Sequence, residues 1–434
     1  MELSIDFQKE VGKIKPIHGV GQPPLLGAQN HSMFHYLTEA GIPSSRLHDV
    51  GGEYGGNKFV DIPNIFRDFD ADETLPESYD FAFTDTLITA LMEAECEPFF
   101  RLGVTIENNL HVKAYRIFPP KDFGKWARVC EHVIRHYTEG WANGFYYDIK
   151  YFEIWNEPDD TADIPYNPMW QGTKEEYFAL YVTTAKHLKK CFPHIKIGGY
   201  GCCGFYEIAG GICTATDHEI STQYFLDFFE EFLAYIKEKA APLDFFSWHS
   251  YDDSIEHNVA YAKYARERLD HHGFFATENI CDEWNVNYDA RGTLFHAAKI
   301  AAMLLAFQKS PLDASHYYDA QCTSSIYGGL FNCLTRTPYP AYYAFTAFNR
   351  LYRMQAQIEV KGEEEGIYAV GAREETWACV VIANPTGEEK TLSFLSDKKP
   401  HRFVVTDSLG VDRECYSLSR LPGESIVSVY FDLR

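Results

Sequence analysis

Two glutamates at the ends of apolar segments are the residues best suited to acid–base chemistry in this sequence. The segment KYFEIWNEPDD, residues 150–160, reads as a buried strand up to Trp155 and is followed at once by Asn156 and Glu157. A second apolar segment ends in CDEWN, which contains Glu283. One carboxyl group that donates a proton and one carboxylate that attacks carbon form the pair that glycosidic bond cleavage requires.

These glutamates belong to a regular alternation of short apolar runs and helical patterns. Strands are predicted at residues 15–20, 45–50, 98–103, 151–155, 195–200, 245–251, 279–284 and 314–318. Helical patterns lie between them, one starting after Asp122 and ending before Gly140, another starting with the capping pair Thr173 and Glu176. Eight buried strands, each followed by a helix, specify a closed parallel barrel more naturally than an open sheet. The predicted fold class is therefore α/β, a (β/α)8 TIM barrel.

The pattern changes after Met354, where apolar and polar residues alternate between Gly-, Pro- and Glu-rich turns. This alternation is typical of short antiparallel strands with one covered face. We therefore expect two domains. Residues 14–354 form the catalytic barrel, and residues 355–434 form a smaller all-β sandwich that a strand from residues 1–13 joins.

Composition narrows the classes of partner. The 434 residues include 39 basic and 62 acidic residues, which gives a net charge of −23 and argues against nucleic acid or an anionic membrane as a partner. The longest apolar run, residues 300–307, is too short to span a bilayer, and the N-terminus shows no signal-peptide pattern. The eleven cysteines lack metal-ligand spacing, which favours reduced thiols and a cytoplasmic location. No phosphate-binding glycine loop follows any strand, which argues against nucleotide binding. No cofactor and no metal is expected.

In a barrel of this type the reactive groups lie at the carboxyl ends of the strands. Glu157 would follow the fourth strand and Glu283 would end the seventh, on opposite sides of the barrel mouth. The chemistry needs one glutamate protonated and one ionised. Arg46 on the second strand is expected to keep Glu283 ionised, with Tyr251 or His249 adding a hydrogen-bond donor.

The surroundings of Glu157 are expected to raise its pKa. An indole from Trp155 or Trp284 would provide a drier environment for this carboxyl group. Asn156 stands beside it, where its amide would bind a sugar 2-hydroxyl.

The segments IWNEPD, WHSYDD and CDEWN, with Arg46 and His48 before them, resemble a clan A glycoside hydrolase. The resemblance is closest to family 39, which includes β-xylosidases and α-L-iduronidases, and it covers residues 15–352. It implies a retaining enzyme that acts on plant or microbial oligosaccharides, with Glu157 as acid/base and Glu283 as nucleophile. The implied substrate-binding residues are Arg46, His48, Asn156, His249, Tyr251, Trp284 and Tyr318.

Two departures from the family pattern affect the choice of sugar. The eighth strand offers Tyr317 or Tyr318 where the family often has tryptophan, and the third strand ends with Arg101 where many members have a carboxylate. Arg101 would suit a uronic acid, or it would pair with Glu153 inside the barrel.

Alternatives of the same and of other classes stay open at this point. A uronic-acid glycosidase or an endo-glycosidase would use the same two glutamates. A metal-dependent hydrolase or isomerase would use His48, Asp49, His249 and Asp252 at the same mouth, and a non-catalytic barrel would only bind sugars. A carbohydrate is the expected partner, and self-association is left open.

Overall fold

The computed structural model describes residues 1–24, 32–48, 60–105, 116–211, 222–322 and 326–434. The chain begins with the long strand β1 (Glu2–Lys13), which lies outside the barrel. Eight parallel strands then close into a barrel in chain order, namely β2 (Gly19–Gly21), β3 (Ser44–Leu47), β4 (Glu97–Leu102), β5 (Tyr151–Ile154), β6 (Lys196–Cys202), β7 (Phe245–Ser250), β8 (Glu278–Trp284) and β9 (Ala314–Tyr318). Each predicted barrel strand overlaps one of these, and the TIM-barrel prediction is confirmed.

Helices follow the barrel strands and cover the outside of the barrel. Those among the described residues are α1 (His35–Ala40), α2 (Ile62–Ile65), α3 (Ala82–Glu93), α4 (Phe123–Glu139), α5 (Lys174–Cys191), α6 (Thr222–Glu238), α7 (Ile255–His271), α8 (Leu294–Lys309) and α9 (Tyr342–Met354). Because every barrel strand is covered by helices outside and by other strands' side chains inside, its residues are almost all buried.

The predicted helix ends are confirmed by their hydrogen bonds. The Asp122 carboxylate accepts from the backbone N–H of Lys125 at 3.0 Å, and Gly140 ends α4 with φ 73°. At the start of α5 the Thr173 hydroxyl accepts from the N–H of Glu176 at 3.2 Å, while the Glu176 carboxylate accepts from the N–H of Thr173 at 2.8 Å. These side chains satisfy backbone donors that the first helical turn leaves without partners.

The second unit is a mostly antiparallel sheet. Its strands after the barrel are β10 (Ala356–Lys361), β11 (Tyr368–Arg373), β12 (Trp377–Asn384), β13 (Lys390–Thr391), β14 (Ser393–Leu395), β15 (Pro400–Asp407), β16 (Gly410–Cys415), β17 (Arg420–Leu421) and β18 (Ser425–Asp432). Eight strands pair in the order β14-β1-β10-β11-β12-β18-β15-β16, and β13 pairs with β17 in a second small sheet. β1 runs antiparallel to β10 and parallel to β14.

The two units share a packed boundary. Helices α8 and α9 pack against β11, β12 and β18, and the apolar core of the barrel continues into Val370, Val381 and Ile426 of the sheet. Arg350 on α9 donates from Nη1 to the Ser428 hydroxyl at 2.9 Å. No helix of the described segments has both the length and the apolar character that crossing a bilayer demands.

Candidate active site

The backbone changes direction where β5 meets Glu157. Trp155 has φ 76° and Glu157 has φ 46°, a left-handed region that residues with a Cβ adopt only when the surroundings hold them there. The N–H of Trp155 donates to the carbonyl of Leu102 at 2.9 Å, and the N–H of Glu157 donates to the carbonyl of Gly201 at 3.1 Å. These bonds to both neighbouring strands fix the bend that turns Glu157 toward the barrel axis.

Trp155 lies on the other side of this bend. Its indole packs among Trp126 and Trp170 and donates from Nε1 to the carbonyl of Met169 at 2.9 Å. The expected contact between this indole and the carboxyl group of Glu157 is therefore wrong. The ring instead anchors the bent segment from outside the barrel.

A β-bulge brings two consecutive acids of β8 into the barrel. Trp248 of β7 pairs with Cys281, but the next residue, His249, pairs with Glu283, so Asp282 is the extra residue in β8. A bulge re-aims side chains that would otherwise alternate between the two faces of a strand. Asp282 and Glu283 therefore both contact Arg46.

Arg46 is the central cation of the site. Its guanidinium donates from Nη1 to Oε2 of Glu283 at 2.9 Å, from Nε to Oε2 of Glu153 at 2.9 Å, and from Nη2 to Oδ1 of Asn156 at 2.6 Å. Asp282 Oδ2 lies 2.7 Å from Nε. The side chain of Arg46 is 1% exposed, so these acids interact with it without screening by bulk water.

His249 connects the two candidate catalytic glutamates. Its Nδ1 lies 2.6 Å from Oε1 of Glu157, and its Nε2 lies 3.7 Å from Oε2 of Glu283. An oxygen of Glu157, a ring nitrogen of His249 and an oxygen of Glu283 all lie within 4.8 Å of one another. Retaining glycosidases hold their carboxyl groups about 5–5.5 Å apart, and inverting ones hold them about 6.5–9.5 Å apart. The close spacing fits a direct attack on the anomeric carbon.

The two glutamates differ in exposure and in partners. The Glu157 side chain is 22% exposed and that of Glu283 is 7% exposed, so Glu157 is the one in contact with solvent. Burial raises the pKa of Glu157 to about 7, against the opposing charge of Arg46 and the amide of Asn156, whose Nδ2 lies 3.4 Å from Oε2. A carboxyl group of this pKa holds its proton near neutral pH and releases it readily.

Glu283 has more groups that favour its charged form. Burial raises its pKa, as does the charge of Glu157. His249, Arg46 and the hydroxyl of Tyr251 act in the opposite direction, and Tyr251 donates to Oε1. The expected contacts of Arg46 and Tyr251 with Glu283 are present. Burial also lowers the pKa of His249 to about 4, so its imidazole is neutral near pH 7.

Tyrosines form one wall beside Glu283. The Tyr318 ring lies 6.2 Å from that of Tyr251, centroid to centroid, and Tyr327 lies 5.2 Å from Tyr251 and 5.5 Å from Tyr318. Tyr318, one of the two candidates at the end of the eighth strand, is thus in the cluster. The other, Tyr317, packs against Phe345 of α9. Tyr327 was not predicted, since it follows the barrel strand by nine residues.

Other predicted residues occupy different positions. Trp284 is fully buried between Phe307 and Tyr317 on the helix side of β8, so its ring does not join the cluster. His48 is 5% exposed, and its backbone N–H donates to Oε1 of Gln22 at 3.3 Å. Burial lowers its pKa well below the ordinary value, with the charges of Arg101 and Arg46 acting in the same direction.

Arg101 does not pair with Glu153, although the two residues are neighbours across β4 and β5. Its Nη2 donates to Oδ1 of Asp61 at 2.7 Å and to the carbonyl of His48 at 3.1 Å. Glu153 pairs with Arg46 instead, at 2.8 Å from Nη2. The alternative in which Arg101 pairs with Glu153 is therefore wrong, and Glu153 forms its ion pair with Arg46.

Three further buried acids near the site were not predicted. Burial raises the pKa of Asp159 to about 7 and that of Asp319 to about 8. The third is Asp282, the residue before Glu283 in CDEWN. A sequence signal for Asp159 and Asp319 does exist, because Asp159 follows the end of β5 by five residues and Asp319 directly follows the end of β9.

Three sets of donor atoms in the described part of the chain have spacings that would suit a cation. One is the set of Glu157, His249 and Glu283, another adds Asp160 and Cys203 to Glu157, and the third lies between α4 and α5 at Glu131. We assign no metal to the first and the third set, because Arg46 already faces Glu283 and Arg135 already donates to Glu131 at 2.8 Å. In the metal-site alternative, Asp49 falls outside the described residues.

Asp252, the last residue of the alternative metal site, already has hydrogen-bond partners within the protein. Its Oδ2 accepts from the hydroxyl of Tyr261 at 2.6 Å and lies 3.0 Å from Nδ1 of His257. His249 is hydrogen-bonded to a different residue, Glu157. The alternative site is therefore not assembled by the described residues.

Comparison with known proteins identifies relatives of this chain. The model of glycosyl hydrolases family 39 matches residues 20–272. A β-xylosidase from Geobacillus stearothermophilus is 24% identical over 368 residues, which cover 74% of this chain and 67% of that protein. A β-xylosidase from Caldicellulosiruptor saccharolyticus is 26% identical over 425 residues, which cover 88% of this chain and 78% of the relative.

Solved structures share the whole architecture. A glucosidase from Croceicoccus marinus superposes with a TM-score of 0.77 at 19% identity and covers 100% of this chain and 99% of its own. A family 39 β-xylosidase from Caulobacter crescentus superposes with a TM-score of 0.69 at 18% identity, covering 99% of both chains. At these identities the superpositions establish the fold.

Proposed function

This chain belongs to glycosyl hydrolase family 39, and from that premise we propose that it removes β-xylosyl residues from plant or microbial oligosaccharides. It is a retaining glycoside hydrolase, and its substrate is a carbohydrate. The observation that carries the proposal is the pair Glu157 and Glu283, whose carboxyl oxygens lie within 4.8 Å and are linked through His249. Two curated relatives named β-xylosidase support the choice of xylose.

The first half of the reaction forms a covalent glycosyl-enzyme. Glu283, held by Arg46 and Tyr251, attacks the anomeric carbon while Glu157 gives its proton to the departing glycosidic oxygen. The pKa of about 7 suits Glu157 to this role, since a stronger acid would be ionised before the substrate bound. Asn156 beside Glu157 would bind the 2-hydroxyl of the sugar, where hydrogen bonding strengthens in the transition state.

The second half releases the sugar with its original configuration. Glu157, now ionised, takes a proton from a water molecule that attacks the same carbon from the side the leaving group vacated. The ester bond to Glu283 breaks and returns the carboxylate to Arg46. The greater exposure of the Glu157 side chain supports Glu157 as the residue that contacts this water.

A second candidate substrate is a β-glucoside, favoured by the structural similarity to the Croceicoccus marinus glucosidase. A glucoside differs from a xyloside by the hydroxymethyl group on C5, so the choice depends on the space around that carbon. A uronic acid is less well supported, because the side chain of Arg101 is fully buried and bound to Asp61.

A panel of aryl glycosides tests the proposal. The purified chain should hydrolyse the aryl β-xyloside with a kcat/KM at least about tenfold above that on the matching glucoside, arabinoside, galactoside and iduronide. A preference for the glucoside would replace xylose by glucose in the proposal. Failure on every monosaccharide, with cleavage of longer xylo-oligosaccharides, would indicate an endo-acting enzyme.

A further inference from the structure

Asp282 is a fully buried acid for which neither carboxyl oxygen receives an aligned hydrogen bond among the described residues. The bulge in β8 inserts it next to Glu283 and inside the barrel. An ionised carboxylate without hydrogen bonds in such a place is costly, because burial removes the water that would otherwise solvate it. The surroundings of Asp282 must therefore either stabilise an ionised carboxylate or keep the carboxyl group protonated.

The nearest cation directs its hydrogen bonds elsewhere. Arg46 Nε lies 2.7 Å from Asp282 Oδ2, but its N–H points to Glu153 Oε2 at 2.9 Å. Glu153 also accepts from the hydroxyl of Ser247 at 2.6 Å through Oε1. Glu153 is thus surrounded by donors, as an ionised carboxylate would be, and Asp282 is the acid beside it that lacks them.

Other charged groups near Asp282 do not supply the missing hydrogen-bond donors. The titratable side chains that interact with Asp282 are Arg46 on β3, Glu153 on β5, His249 on β7 and Glu283 on β8. Arg101 is paired with Asp61. His249 Nε2 lies 3.5 Å from Asp282 Oδ1, and burial keeps this imidazole neutral. One guanidinium therefore faces the three acids Glu153, Asp282 and Glu283.

We propose that Asp282 is a positioning residue that remains a neutral carboxylic acid and shares its proton with Glu153 beneath the nucleophile. The inference rests on the proposed role of Glu283. Oδ2 of Asp282 and Oε2 of Glu153 lie 2.7 and 2.9 Å from the same atom, Arg46 Nε. Ionising both of two neighbouring buried carboxyl groups is costly, so one proton lies between them. Arg46 then faces two negative charges, those of Glu153 and Glu283, instead of three, and the shared proton keeps the guanidinium aimed at the nucleophile.

The pKa directions of the pair agree with this placement of the proton. Burial raises the pKa of Asp282 well above its ordinary range, and the charge of Glu153 acts in the same direction. For Glu153 burial acts upward as well, but the charge of Arg46 and hydrogen bonds from Asp282 and Ser247 lower its pKa overall. The proton therefore belongs to Asp282, and Glu153 accepts the hydrogen bond.

Infrared spectroscopy with the variant Asp282→Asn tests the proposal directly. The difference spectrum between wild type and variant at about pH 9 should contain the carbonyl band of a protonated carboxyl group, because Glu157 and Asp319, with pKa values of about 7 and 8, are mostly ionised there. Absence of this band would overturn the proposal. If the variant does not fold, carbon-13 labelling of aspartate in the wild type must shift a protonated-carboxyl band, and an unshifted spectrum would overturn the proposal equally.

Kinetics provide the second readout. The amide of Asp282→Asn donates to Glu153 as the neutral acid does, so the acidic limb of the pH profile of kcat/KM should keep its wild-type midpoint. A shift of that limb to lower pH would mean that the variant removed a negative charge beside Glu283, and this would contradict a neutral Asp282. The infrared result does not depend on which glycoside is cut, so it separates failure of this inference from failure of the proposed substrate.

Discussion

His249 Nδ1 lies 2.6 Å from Oε1 of Glu157, in a hydrogen bond between two strands of the barrel. The imidazole is neutral, since burial lowers its pKa to about 4, and it therefore has one ring hydrogen. It accepts from Glu157 when the glutamate is protonated and donates to it when the glutamate is ionised. Both protonation states of Glu157, the proposed acid/base residue, are thus hydrogen-bonded to His249.

Glu283→Gly should lower kcat by about 10⁴-fold or more, because the nucleophile is lost while the fold retains space for a small anion. Added azide should restore turnover and release a glycosyl azide of inverted configuration, which NMR of the product identifies. Asp282→Asn is the matched control, because it alters the adjacent acid and should need no azide. Ordinary activity of Glu283→Gly without azide would assign the nucleophile elsewhere.

Glu157→Ala should affect substrates according to their leaving groups. Dinitrophenyl glycosides need no protonation, so their first step should slow by less than about tenfold, whereas poor leaving groups should lose about 10³-fold or more. Burst kinetics with the activated substrate measure the first step separately from the second. An equal loss on good and poor leaving groups would contradict the acid/base role.

Glu157→Gln should make the protein more stable at high pH. The pKa of Glu157 in the folded state is about 7, above its ordinary value of 4.5, so its stabilising contribution is complete below pH 4.5 and lost as the pH rises through 7. Glutamine carries no charge to bury, so above pH 7 the variant should exceed the wild type by about 1–3 kcal/mol, read as a higher Tm. Below pH 4.5 the two Tm values should converge, and a constant difference at all pH values would show that ionisation is not the cause.

Tyr251→Phe should move the acidic limb of the pH profile of kcat/KM to higher pH. The Tyr251 hydroxyl donates to Glu283 and lowers the pKa of that carboxyl group, so its removal favours the protonated form. We expect kcat to fall about tenfold as well, since the hydroxyl also orients the nucleophile. Tyr317→Phe serves as the control, because that ring packs against Phe345 and Trp284 outside the cluster and its profile should match the wild type.

The barrel could be predicted from the sequence because its strands are continuous apolar runs with helix caps between them. Thr173 and Glu176 form the predicted capping box, and Gly140 ends α4 as expected. The second strand was predicted to continue to Val50, and the structure ends it at Leu47; Val50 itself lies outside the described residues.

The two candidate catalytic glutamates could be identified from the sequence, but the other acids of the site and the direction of each side chain could not. Simple alternation would place Asp282 and Glu283 on opposite faces of β8, and only the bulge turns both toward Arg46. Trp284 then faces the helices, which the sequence does not indicate. The bend at Trp155 is of the same kind, because positive φ values arise from the neighbouring strands rather than from residue type.

The pairing of β1 with β10 has a consequence for biosynthesis. Ser4 is opposite Lys361 and Lys13 is opposite Ala356, so β1 pairs with residues that the ribosome adds more than three hundred positions later. At about 5–20 residues per second, the first strand waits for tens of seconds before its partner exists. Its alternating apolar residues Leu3, Ile5 and Phe7, buried in the finished sheet, are exposed during that time. A nascent chain halted within the barrel would therefore expose β1 to chaperones that bind apolar segments.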